Sequence, residues 1–228
     1  MTVLESIDTV ILHAPKTGGS SVRWPAINKF NIRYACQHCN YKMLPEEYKN
    51  FRKITFVRHP LAWYKSRYYF DLYNFSKARG SRDIMTTALS HVYTKSFNET
   101  LDSYLNPDEA FKDPKTIDIF RKLTKLDALR NYTCWNISYQ DNINKVEPGF
   151  FNGQTYYQWL LNITGIQYAD VAYRLEDQYA LGMKKEFGED INLVHKNKTK
   201  QKNIIDYSDE NKKIVLEREQ DFIKKYEY

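Results

Sequence analysis

The chain has 228 residues, 42% of them hydrophobic, with 34 basic against 28 acidic side chains and a formal net charge of +6. That length fits one α/β domain with a full core, and no apolar run is long enough to span a bilayer. The basic excess suits a protein that handles anions, but the nineteen tyrosines are scattered along the chain, which argues against nucleic acid as the partner.

The first predicted element is the β-branched run Thr9-Val10-Ile11-Leu12, a buried strand. His13-Ala14-Pro15-Lys16-Thr17-Gly18-Gly19-Ser20-Ser21 follows. Its glycines permit a tight turn, and residues 20–30 read as a helix. Strand, Gly-rich loop and helix in that order build an anion cradle. Backbone N–H groups point inward, the helix N-terminus adds partial positive charge, and Lys16 adds a full one. The order is not that of a Walker A loop, whose lysine follows the last glycine. Lys16 precedes Gly18 and Gly19 and so sits at the mouth, within reach of the atom bridging two anionic groups. An ordinary glycine turn with a solvated lysine is the plainer reading of the same residues.

Ile32-Arg33-Tyr34-Ala35 reads as a strand end. Cys36-Gln37-His38-Cys39 is a lone C-x-x-C without a second pair, and Cys134 stands apart. A zinc site would need a further ligand, so no metal is expected and the thiols are read as reduced. Ile54-Thr55-Phe56-Val57 is a second strand ending in a cation, Arg58. Pro60 disfavours helix at His59 and suits the first turn of the helix that follows. Ser66 falls about two turns further on. Arg58 and Ser66 could close on one phosphate, through a charge-assisted fork and a hydroxyl. A surface arginine and a solvated serine are the alternative.

Residues 71–165 carry weaker strand signals and helical patches at 84–105 and 156–161, read as helices and loops on the acceptor side. Val171-Ala172-Tyr173-Arg174-Leu175-Glu176-Asp177 is a strand running into a polar turn. Residues 192–203 form a basic, Asn-rich loop. From Ser208 to Tyr226 the pattern predicts one terminal helix, acidic at its start and basic at its end, with Ile214, Val215, Phe222 and Ile223 as its buried stripe. The expectation is a single domain over 1–228, a central parallel β-sheet flanked by helices, with ligands at the carboxyl ends of its strands.

The pair H-A-P-K-T-G-G-S-S and F-V-R-H-P-x-x-x-x-x-S-x-Y resembles the two signatures of sulfotransferases that use 3′-phosphoadenosine 5′-phosphosulfate (PAPS). The resemblance implies a P-loop NTPase-like fold, and sulfuryl transfer to a hydroxyl or amine of an acceptor, most naturally a carbohydrate. It implies adenosine 3′,5′-bisphosphate (PAP) as the second product. It further implies that Lys16, Thr17, Gly18, Gly19, Ser20 and Ser21 hold the phosphosulfate, and that Arg58 and Ser66 hold the 3′-phosphate. A loop near 192–203 folds over the nucleotide in this family, which points to Lys200 among His195, Lys196, Lys198 and Lys202. Members often carry an arginine a few residues after the proline, where this chain has Trp63-Tyr64-Lys65.

Such chemistry wants a general base with a pKa near working pH, for which histidine is the natural candidate. His38 is chosen, because it follows a strand end between the two motifs. Its distance from the Arg58 motif is similar to that of the base histidine in uronyl 2-O-sulfotransferases. His13 is assigned to loop support and His59 to the strand–helix corner; His91, Glu99 and His195 are lesser candidates. With no leader or span in view, the expected setting is cytoplasmic, as a soluble bacterial or viral enzyme. The alternative is a Golgi-lumenal catalytic domain lacking its anchor. Sequons at Asn98, Asn131, Asn136 and Asn162 do not establish secretion in so Asn-rich a chain. The competing functions are a P-loop kinase or nucleotide hydrolase, weakened by the loop order and by no Walker B strand, and a non-catalytic nucleotide-binding protein.

Overall fold

The computed structural model describes residues 1–14, 16–35, 41–78, 96–105, 155–193 and 205–228. Five strands form one sheet in the order β3-β1-β2-β4-β5. They are β1 (Thr2–Leu4), β2 (Thr9–Leu12), β3 (Ile32–Ala35), β4 (Arg52–Val57) and β5 (Val171–Arg174). β2 pairs parallel with β4, and β4 parallel with β5. β1 runs antiparallel to both its neighbours, β2 and β3.

The sheet is therefore mixed rather than parallel throughout. The cause is local. A single 3-10 turn over Glu5–Ile7, ended by Asp8 in the left-handed region at φ 44°, returns the chain directly onto its own strand. So short a link can join only antiparallel strands.

Alternation along the strands divides the core. Ile11, Ile54 and Phe56 face one layer, in which they pack with Val22, Ala26, Tyr179 and Met183 of α1 (Gly19–Lys29) and α5 (Tyr179–Phe187). Val57 faces the other layer and packs with Trp63, Leu101, Tyr156, Val215 and Phe222. These come from α2 (Pro60–Ala78), α3 (Phe97–Leu105), α4 (Tyr156–Thr164), α6 (Asp209–Arg218) and α7 (Gln220–Lys225). Aromatic rings dominate this second layer; Trp63 stacks on Tyr156 with centroids 4.5 Å apart. Such pairs add about 1 kcal/mol beyond the area they bury.

Pro25 lies inside α1. Proline has no N–H to give the carbonyl four residues back, so Ser21 loses its helical donor. The Tyr179 hydroxyl donates to the Ser21 carbonyl instead, at 3.0 Å, and ties α1 to α5.

The predicted terminal helix is broken into two at Glu219, where φ is −99° and ψ 14°. Glu219 is 1% exposed, and its carboxylate accepts the Tyr64 hydroxyl at 2.9 Å and the N–H groups of Tyr156 and Tyr157 at 2.7 and 3.2 Å. Those amides open α4 and lack helical acceptors, so Glu219 turns inward to cap them and the helix bends there. Val215 and Phe222 are buried as the stripe predicts, whereas Ile214 is exposed.

Candidate functional site

Parallel pairing brings the carboxyl ends of β2, β4 and β5 to one edge of the sheet, and the two predicted motifs begin there. After β2 the chain enters a tight turn with Lys16 at φ 64° and Gly18 at φ 75°, and Gly18 caps α1. Thr17 is buried and its hydroxyl donates to the Ala14 carbonyl at 2.9 Å, bracing the turn. The Gly18 carbonyl accepts the N–H of Ser21 at 2.7 Å and of Val22 at 3.1 Å. Among the described residues no carbonyl accepts the N–H of Thr17, Gly18, Gly19 or Ser20. These amides, with the N-terminus of α1, offer the donors an anion would need.

Neither position takes a side chain unless a neighbour shifts. A Cβ on Gly19 would fall 1.5 Å from His13 Nε2, and one on Gly18 2.5 Å from Leu175 Cδ1. His13 thus packs directly behind the loop, consistent with the supporting role assigned to it.

Arg58, at the end of β4, reaches across to this turn: its Nη1 donates to the Lys16 carbonyl at 3.2 Å. Its Nε is buried and donates no hydrogen bond; it lies 4.0 Å from Glu176 Oε1. Burial pulls the guanidinium below its ordinary range, with Glu176 opposing, yet an arginine stays protonated. The Tyr156 hydroxyl is a second buried group that makes no hydrogen bond. Burial, reinforced by the charge of Glu219, raises its pKa, and the charge of Arg58 opposes that shift.

His59 holds the corner into α2. Its Nδ1 accepts the Leu61 N–H at 3.2 Å and its carbonyl accepts that of Trp63 at 2.9 Å. Burial lowers its pKa, against the charge of Glu176. A cavity of about 950 Å³ opens beside this corner, lined by His59, Lys65, Arg174, Glu176, Tyr207 and Tyr228 among others.

The structure thus joins Arg58 to the Lys16 loop. Ser66 is partly buried on α2, and no hydrogen bond links it to Arg58. His38, Lys200, His91, His195 and the three cysteines lie outside the described residues. Glu99 caps the start of α3 by accepting the Ser96 N–H and hydroxyl, each at 2.7 Å, a structural use of that carboxylate.

Three site residues went unassigned in the sequence. Glu176 stood in the polar turn after a strand, which was signal enough to suspect it. Tyr156 and Tyr228 gave none, because only tertiary packing brings them to the strand ends. Compared with protein-family models, curated proteins and solved structures, the chain matches none.

Proposed function

We propose that the chain is a sulfotransferase that moves a sulfuryl group from PAPS to a hydroxyl or amine of an acceptor, with carbohydrates the favoured class and PAP released. The observation that carries this reading is the 3.2 Å hydrogen bond from Arg58 to the Lys16 carbonyl. It brings together residues of the two motifs that stand 42 positions apart in the chain. The amides of Thr17 to Ser20, which no described carbonyl accepts, and the buried Nε of Arg58 fit a donor with two separate anionic groups.

In-line transfer spreads negative charge over the sulfuryl oxygens and the bridging oxygen that leaves. Fixed donors aimed at that charge stabilise it without reorganising. Lys16 and the loop amides fill this role, while Arg58 with Ser66 takes the 3′-phosphate. His38 is proposed as the base that removes the acceptor proton, and Lys200 as a cover over the nucleotide. No helix of the described residues is long and apolar enough to cross a membrane.

Sulfate transfer from labelled PAPS across an acceptor panel tests the activity. A Lys16→Ala protein should bind acceptor and lose turnover by about 10²–10³-fold, the usual effect of deleting one charge-stabilising donor. Transfer to none of a broad panel, with PAP still bound, would favour a non-catalytic nucleotide-binding protein.

A further inference from the structure

Arg58 and Glu176 stand at the ends of neighbouring strands, yet they do not form a hydrogen-bonded ion pair. The Glu176 carboxylate is engaged elsewhere. Its Oε1 accepts the His59 N–H at 3.1 Å, and its Oε2 accepts the Tyr228 hydroxyl at 2.7 Å. That leaves Oε1 4.0 Å from Arg58 Nε, too far for a hydrogen bond. Left alone, a half-exposed carboxylate this close to a guanidinium closes to about 2.8 Å and pairs with it.

Tyr228 is itself firmly held. Its ring meets His59 edge-on at 5.0 Å and stacks on Phe222 at 6.0 Å. Arg174 lies over the same ring at 5.8 Å and donates to the Glu227 carbonyl at 2.8 Å. Glu227 adopts φ 57°, a left-handed turn that costs a non-glycine residue about 1 kcal/mol. That turn carries the chain back over the strand ends. The other carboxylate of the corner, Asp177, is occupied by Arg174 at 2.7 Å.

We propose that Tyr228 is a positioning residue. By giving its single proton to Glu176 at 2.7 Å rather than to the Val57 carbonyl at 3.2 Å, it keeps that carboxylate off Arg58, and so leaves the guanidinium open to an anion. The inference rests on the reading of Arg58 as an anion ligand given above. Glu176 competes with the ligand, and Tyr228 restrains the competitor.

Titration calorimetry of the full chain with PAP, and separately with inorganic sulfate, tests this. Tyr228→Phe keeps the ring packing and removes only the hydroxyl. It should weaken PAP binding about tenfold, the scale of one hydrogen bond to a charged group. Glu176→Gln should bind at least as tightly as the unmodified chain. Adding it to Tyr228→Phe should restore affinity to within about twofold of Glu176→Gln alone, a coupling that a merely structural tyrosine would not produce. Unchanged binding by Tyr228→Phe overturns the inference, and so does a double variant as weak as Tyr228→Phe. If the unmodified chain binds sulfate but not PAP, and sulfate binding follows the same variant pattern, only the sulfotransferase reading falls. If it binds neither anion, both fall.

Discussion

At the scale of single residues, Gly19 carries the sharpest constraint. With His13 Nε2 1.5 Å from where its Cβ would stand, Gly19→Ala must displace the imidazole or the loop. Overpacking of this kind costs about 1–3 kcal/mol, so a denaturant titration should show a loss in that range, along with loss of PAP binding. Adding His13→Ala to Gly19→Ala should recover part of the stability, because the ring that clashes is gone. Two glycines in series announced a tight turn, which the structure has, with Lys16 and Gly18 at positive φ. The sequence could not say that His13 is what forbids a side chain at Gly19, since that contact depends on how the strand end twists into the loop. Arg58 was legible as a cation at a strand end. Its bond to the Lys16 carbonyl was not, because it depends on β2 and β4 being neighbours in register.

At the scale of elements, two polar contacts repair what the backbone leaves open. Tyr179 donates to the carbonyl that Pro25 orphans. Tyr179→Phe should therefore destabilise the fold by about 1–2 kcal/mol, measured by urea unfolding, with secondary structure retained. Glu219 gathers the Tyr64 hydroxyl and two amides of α4. Glu219→Ala removes the acceptor of all three bonds, and should cost about 3 kcal/mol or more.

Burial raises the Glu219 carboxyl, although its hydrogen bonds oppose the shift. The folded chain then keeps this proton at pH values where the unfolded chain has lost it. This contribution to stability is fully present below the unfolded carboxylate pKa and is lost as pH rises through the raised one. Urea midpoints followed from about pH 4 to about pH 8 should show a downward component that Glu219→Gln removes. The pattern of residues 208–226 foretold helix, and of its four predicted stripe residues Val215 and Phe222 are buried, Ile223 is half-buried and Ile214 is exposed. It did not foretell the break at Glu219, whose cause lies in α4, more than sixty residues earlier.

At the scale of the molecule, the strand–loop–helix order set the architecture. β2, α1, β3, β4, α2 and β5 all fall where apolar runs and turn residues put them. β1 escaped notice because three residues carry too little pattern, and its reversal on β2 makes the sheet mixed. The site edge is unaffected, since β2, β4 and β5 are parallel. What the sequence left dark is the part assembled from afar, where Tyr156, Glu176 and Tyr228 converge on Arg58.

The proposed ligand of this edge is a nucleotide bearing both a 5′ and a 3′ anionic group. The most direct measurement is the thermal shift of the full chain with PAP, set against ATP with magnesium. A tightly bound ligand at 100 times its Kd contributes about 2.7 kcal/mol, which for a chain of this size raises the midpoint by several degrees. PAP should give that rise, ATP with magnesium little, and Arg58→Ala should lose it. A selective rise with ATP and magnesium would contradict the proposal.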